Sequence, residues 1–316
     1  MVSQAYLLYR SLTATVVLFG VSVLTFSLTY LTPGDPAETI LRQQSEVPPT
    51  QPQVEAFRAE HGFDEPLVVQ YLDWLTDVLR GDLGSAYGSG REVTALLASH
   101  LPATIELAVA AMVVALAIAI PTGVLSAVHQ GEWIDFGSQL AALIGVSLPN
   151  FWLGYTLIIV FSLHLNMFPV AGTGGLSHLV LPAIALGTGM AAIVTRLVRT
   201  SMLDVLDTEY VEAARSKGLR ERIVVYKHAL RNALIPVVTV VGLQLGFVLN
   251  GAVVIEIVFQ RPGLGDLLVD AVFARDYPIV QGVVLVVAVS FVLTNLLVDL
   301  TYRYLDPRIS LGGTQR

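Results

Sequence analysis

The chain of 316 residues contains no cysteine. That excludes a disulfide, a thiolate metal site and a thiol nucleophile. Charge is scarce as well: 14% of residues are Asp, Glu, Lys or Arg, against about 25% in ordinary soluble domains. Lysine is confined to Lys217 and Lys227, so arginine carries nearly all the positive charge. The six histidines are scattered without H-E-x-x-H or similar spacing. No metal-ligating or Ser-His-Asp constellation can be argued, and no resident cofactor is expected. There is no G-x-x-x-x-G-K-[ST] run, and the G-x-G at Gly263 to Gly265 follows no strand pattern. The chain should therefore not bind ATP through a phosphate loop. The one basic stretch carries no nucleic-acid motif and is too short for a duplex-binding face. Any work this protein does must draw energy from a partner or from an ion gradient.

What is plentiful is apolar sequence. Hydrophobic residues make up 54% of the chain and mean hydropathy is +0.68, which describes a polytopic protein of the lipid bilayer. Ser11 to Leu31 is free of charge and long enough to cross a hydrocarbon core of about 30 Å at 1.5 Å per residue. Arg10 before it should hold the N-terminus inside. The apolar run is too long for a signal peptide and no A-x-A site follows, so an uncleaved first span is expected. Five more spans follow: Leu101 to Val128, Phe136 to Phe168, His178 to Leu197, Val237 to Phe259 and Pro278 to Leu300. Pro102 suits a helix start, and Pro121 should kink or end its helix. Gly187 and Gly189 allow close helix contact in the fourth span.

Polar residues inside these spans are the candidates for a translocation path, since they are costly in lipid and face a bundle interior. Pro149 and Asn150 interrupt the third span, where a proline frees a backbone carbonyl that protein or water must satisfy. Gln244 and Asn250 interrupt the fifth. Glu106 and Glu256 fall near span ends; Glu106 is expected to snorkel to the interface or to pair within the bundle, and Glu256 to sit nearer the outer interface.

Thr32 to Ala98 is a polar insert with eleven acidic residues and four arginines, a balance equal to the whole formal net charge of −7. Within it, Leu67 to Leu79 spaces its apolar residues on one helical face, which suits a cap on the bundle or the membrane surface. The opposite charge gathers in Glu209 to Pro236, which holds Arg215, Lys217, Arg220, Arg222, Lys227 and Arg231, a third of the 18 Lys and Arg in the chain. Basic loops next to spans stay in the cytoplasm. With six spans and both termini inside, twelve basic residues lie inside and six outside. The loop reads as two short helices joined at Gly218, which can take positive φ without steric cost.

In that loop, Glu212-Ala213-Ala214 followed after three residues by Gly218 resembles the EAA loop of permease subunits of ABC importers. The generic pattern continues nine residues later with Ile-x-Leu-Pro. Here His228 to Pro236 reads His-Ala-Leu-Arg-Asn-Ala-Leu-Ile-Pro instead, which resembles the dipeptide, oligopeptide and nickel branch. Gly62 to Gly88 resembles the external segment of peptide-importer permeases, and Asn295 to Asp299 with Leu305 to Arg308 resembles the family's closing motif. The resemblance implies an all-α membrane protein of six transmembrane helices, type I importer-like, with both termini cytoplasmic and a small extracytoplasmic insert between the first two helices. It divides the chain into an anchor helix at 1–31, the insert at 32–98, a permease core at 99–305 with its coupling loop at 201–236, and a tail at 306–316.

The same resemblance implies partners: a second homologous permease, two ABC ATPase domains that bind ATP and Mg, an extracytoplasmic solute-binding protein and the lipid bilayer, with no nucleic acid. Glu212, Ala213, Ala214, Arg215, Lys217, Gly218, His228 and Arg231 would dock on or orient toward the ATPase. Peptides are the expected solute, with nickel chelates, glutathione or oligosaccharides as alternatives. An ion-gradient-driven secondary transporter is the rival class, and it would need buried carboxylates at the bilayer midplane.

Overall fold

A computed structural model describes residues 4–31, 34–44, 47–60 and 62–305, without the side chains of 4–7, 43–44, 245, 247, 249–250 and 299–305. The described residues are helical apart from turns and one isolated bridge, Ser85 to Glu92. Five helices are long and apolar enough to cross a membrane, and a broken pair makes a sixth candidate. The tail at 306–316, with the Asp306 to Arg308 part of the closing motif, lies outside the described residues.

The chain divides into two compact units. Of the described residues, the first comprises those of 4–102 and 263–292. It contains α1 (Gln4–Leu31), α2 (Pro36–Gln44), α3 (Gln51–Glu60) and α4 (Leu67–Arg80). The start of α5 (Val93–Val128), all of α12 (Leu264–Ala274) and the first part of α13 (Tyr277–Leu305) also belong to it. The amphipathic α4 lies along α1: the Tyr71 hydroxyl meets Ser22 Oγ at 2.8 Å, and Phe26 packs on Tyr30, Tyr71 and Trp74. This is an aromatic seam, in which ring pairs add to plain area burial. α4 stops at Gly81, whose φ of +88° lets its N–H close back onto Val78. A separate apolar cluster gathers Val93, Leu97, Leu264, Ala271 and Val283. The short α12 was not expected, because its eleven residues carry too few turns for a periodic signal to outweigh the Pro-Gly before it.

The second unit comprises the described residues of 103–262 and 293–305. It holds most of α5, then α6 (Trp133–Ser147) and α7 (Asn150–Leu157), which runs on as a π-helix through His164. It continues with α8 (Leu176–Leu206), α9 (Glu209–Ser216) and α10 (Glu221–Ile223), then a π-helical turn into α11 (Leu230–Val258). α8 is its central helix: 67% of its most apolar window is buried, against 28% for the window that runs into α11.

Small residues let α8 sit there. A Cβ on Gly187 would stand 2.6 Å from the carbonyl oxygen of Ala111 in α5, and one on Gly123 would stand 2.7 Å from Val198. Gly187→Ala is therefore expected to destabilise by about 1–3 kcal/mol, as overpacking does. Gly137→Ala has nothing within 4 Å and should be neutral or stabilising. Thermal midpoints of the two purified variants check this.

Two expectations are corrected. α5 begins at Val93 and keeps both Pro102 and Pro121 inside one continuous helix; prolines within spanning helices persist where the surroundings re-satisfy the freed backbone. Pro236 also lies inside a helix, near the start of α11. Glu256 does not sit out at a span end: it is fully buried and accepts a bond from Thr104 Oγ1 at 2.6 Å. Glu106 stays 49% exposed, and its Oε2 accepts from Nη2 of Arg261, itself 1% exposed, at 2.9 Å. Glu256 turns inward where a hydroxyl meets it, which a lone carboxylate in lipid lacks.

Candidate functional site: a coupling loop and a polar cavity

The basic loop is built on its own small core. In α9 the spacing places Val211 and Ala214 on one face, and both pack against Val224 of the π-helical turn, with Val205 and Leu206 beside them. Between α9 and α10, Gly218 takes φ +76° and its N–H bonds to Arg215 O at 2.9 Å. Arg215 then reaches across the turn to Glu221 at 2.7 Å. That pair is exposed and contributes little to stability, but it fixes the angle between the two short helices. Tyr210 accepts a bond from Asn232 Nδ2 at 2.7 Å, tying α9 to the start of α11.

This core sorts the residues singled out in the sequence. Glu212, Ala213, Arg215, Lys217, Gly218 and Arg231 are exposed, and His228 is half-buried. Ala214 points inward and is 8% exposed. It packs in the loop's own core with Val211 and Val224, unlike the exposed residues grouped with it. The outer face also carries apolar side chains that the motif does not name: Tyr210, Leu219, Ile223 and Tyr226. Apolar side chains and cations are thus exposed side by side on this short, ordered loop.

The second feature lies where the third span breaks. α6 and α7 meet at Leu148 and Pro149 with a bend of 101°, far beyond a proline kink of about 20–30°. Pro149 cannot donate a bond, and its φ of −61° with ψ of 134° sends the chain away in an extended step. The turn brings Asn150 over α8 and α11. A cavity of about 250 Å³ opens there, lined by Gly145, Asn150, Gly189, Gln244 and Gly251 together with apolar residues of α8 and α11. Asn150 Oδ1 sits 3.3 Å from where a Gly189 Cβ would be, and its Nδ2 3.9 Å from where a Gly251 Cβ would be. Gln244 Nε2 is buried without a hydrogen-bond partner.

Of the four residues proposed from sequence for a path, Asn150 and Gln244 meet on this cavity, Pro149 makes the bend beside it, and the side chain of Asn250 lies outside those described. Gly145 and Gly251 were not singled out, and Gly189 was named only for close helix contact. Their signal is faint in the sequence, because only packing shows which glycines clear a space.

A buried polar cluster was also missed. Asp135, 2% exposed, takes both nitrogens of Arg199 at 2.7 and 2.8 Å, Ser126 Oγ at 2.5 Å, Gln139 at 3.0 Å and the Gly131 N–H at 3.0 Å. It pins the α5–α6 turn to α8 at Arg199, ten residues before α9 begins at Glu209. In the sequence, Arg199 reads only as a marker of the inner end of a span. No group of three or more potential metal ligands occurs among the described residues.

Comparison with known proteins agrees over nearly the whole length. Residues 119–311 match the binding-protein-dependent transport system inner membrane component, and residues 3–108 match the N-terminal part of the same membrane component. The dipeptide transport system permease protein of Alkalihalophilus pseudofirmus is 42% identical over 96% of this chain and 99% of its own. The oligopeptide transport system permease protein of Bacillus subtilis is 40% identical over 96% and 99%. The glutathione transport system permease protein of Escherichia coli K12 is 41% identical over 96% and 98%. Among solved structures, an inward-facing methionine ABC transporter superposes with a TM-score of 0.57 at 20% identity, over 67% of this chain and 96% of that one. That likeness gives the fold, a type I importer permease. The protein is a multi-pass component of the inner membrane. Together these matches show that the chain belongs to the family of binding-protein-dependent transport system inner membrane components.

Proposed function

We propose that the chain is the permease subunit of an ATP-driven importer of short peptides, forming half of the translocation path beside a second homologous permease. Two ATPase domains on the cytoplasmic side bind ATP and Mg, and an extracytoplasmic solute-binding protein delivers the peptide. The observation that carries this reading is the self-supported loop with Glu212, Ala213 and Gly218 on its outer face. A docking helix must hold its shape while a partner pulls on it, and a small private core supplies that. Closure of the ATPases on ATP moves the loop, and the loop moves the bundle. Such coupling requires contacts that differ between two states. The distribution of basic residues places both termini and the loop inside, with the insert outside.

Peptides fit the cavity at the break better than a chelate or a sugar does. Relatives named for dipeptides, oligopeptides and glutathione share amide-linked residues as cargo. Asn150 and Gln244 are neutral amides that can both donate and accept, so they can meet a passing peptide main chain whatever its side chains. The gradient-driven alternative lacks support, since Glu106, Asp135 and Glu256 are each already engaged.

Gln244→Leu tests the path. Losing one donor to the solute should lower the initial uptake rate by up to about tenfold, with the thermal midpoint unchanged or raised because an unpaired buried amide is removed. Radiolabelled dipeptide uptake by the reconstituted complex measures the first, and unfolding of the purified chain measures the second. Unchanged uptake would remove Gln244 from the path.

A further inference from the structure

The insert of the first unit encloses a second, larger cavity of about 410 Å³. Its walls are apolar and aromatic: Ile40, Phe57, Phe63, Trp74 and Tyr87 line it, and Phe57 stacks on Phe63 at 6.3 Å between ring centroids. Its charged groups are of one sign: among the described residues Asp77 and Asp82 line it and no Lys, Arg or His does, with Ser85 and Gln281 as neutral polar groups. Asp77 touches Arg80 only at 3.7 Å, and Arg80 is 74% exposed. Arg58, next to Phe57, is taken up by Asp35. Behind the Tyr87 wall stands Asp276, 4% exposed, whose Oδ2 accepts the Gly88 N–H at 3.2 Å while Oδ1 is buried without a partner. Burial first, and then the Asp276 charge, push the Tyr87 hydroxyl far above its usual range. Tyr87 therefore stays a neutral donor and ring.

Aromatic faces and carboxylates attract the same kind of guest. A ring presents its negative face to a cation, and a carboxylate at the mouth offers a charge-assisted bond to an ammonium. None of the described lining residues repels a positive charge, and the surrounding segment carries an excess of seven negative charges, which concentrates cations near it. The volume is too large for a metal ion or a methylammonium. It suits an apolar body of one or two residues' size.

We propose that this cavity binds a small organic monocation, a primary ammonium joined to a bulky apolar group, held by Asp77 and Asp82 at the ammonium and by Phe57, Phe63 and Trp74 at the apolar body. That the natural guest is the first residue of a peptide with a free amino terminus rests on the transport reading; the ammonium site itself does not. A site of this kind, separate from the cavity at the bend, would select arriving peptides for a charged terminus and an apolar first side chain.

Calorimetry on the full chain in lipid nanodiscs tests it, with phenethylamine as the probe and no transport step involved. Phenethylamine should bind saturably. Its neutral counterparts, 2-phenylethanol and N-acetylphenethylamine, should bind roughly tenfold more weakly or not at all. n-Butylamine, which keeps the charge and lacks the ring, should also be weaker. Asp77→Asn with Asp82→Asn should lower phenethylamine affinity by roughly tenfold while leaving 2-phenylethanol unchanged. Asparagine at 82 keeps the acceptor for the Gly84 N–H that Asp82 now serves at 2.8 Å. Equal binding of phenethylamine and its acetylated form would overturn the proposal, and so would n-butylamine binding as tightly as phenethylamine, which would mark a slot for a lysine side chain. These comparisons use unaltered protein, so a variant that fails to fold leaves the outcome decided. Failure here with intact dipeptide uptake would sink the site and spare the importer.

Discussion

Gly218→Pro is expected to abolish solute uptake while leaving the protein inserted and folded. Gly218 sits at φ +76° and donates its N–H to Arg215 O. Proline fixes φ near −65° and has no N–H, so the turn between α9 and α10 cannot survive in its present form. The lesion is local. The Val211, Ala214 and Val224 core is small, and the packed bundle around α8 does not depend on the turn. Gly218→Ala separates the two effects of the substitution. A Cβ there meets nothing within 4 Å, so alanine suffers only the left-handed backbone, about 1–2 kcal/mol, and should retain part of the activity. The check is dipeptide uptake and ATP hydrolysis measured together on reconstituted complexes. Hydrolysis without uptake is the expected signature of a broken linkage. Full uptake by the proline variant would show that the loop is not the transmission element.

Asp135→Ala should produce the largest loss of stability of any single change considered. The carboxylate is buried, bidentate to Arg199, and accepts three further bonds. Removing one member of such a pair typically costs about 3–5 kcal/mol, because the other charge is left uncompensated. Replacing both, with Asp135→Leu and Arg199→Met, should recover much of that loss, since well-packed apolar residues often match a buried ion pair. A double-mutant cycle on thermal or denaturant unfolding measures the coupling. A shift below about 1 kcal/mol for Asp135→Ala would place the pair in the class of exposed, weakly contributing bridges.

The succession of apolar helices and the two short helices of the basic loop were legible in the sequence, for a physical reason; five helices are long and apolar enough to cross a membrane, and the broken pair makes a sixth candidate. Runs of about 20 apolar residues and clustered arginines are long-range signals that no local detail cancels. The position of Gly218 at a turn was legible because few other residues suit positive φ. Helix ends were less so. α8 runs on through Arg196 and Arg199 to Leu206, because Arg199 finds Asp135 and need not stop at the membrane surface. The inward turn of Ala214 was hidden, since the motif reads as one word while the helix gives alternate faces different neighbours. Partnering of Glu106 with Arg261, 155 residues away, leaves no trace in local composition. The broken third span lay between these cases. Pro149 announced an interruption, but a bend of 101° depends on α8 and α11 being there to receive Asn150.

The most direct test is the energy source of uptake. Vesicles containing the complete transporter would be loaded with ATP or left empty, with and without ionophores that dissipate ion gradients, and the entry of a radiolabelled dipeptide followed. Uptake that needs ATP and survives the ionophores is the expected result. Uptake that proceeds without ATP and collapses with the gradient would contradict a permease driven through its cytoplasmic loop by a partner ATPase.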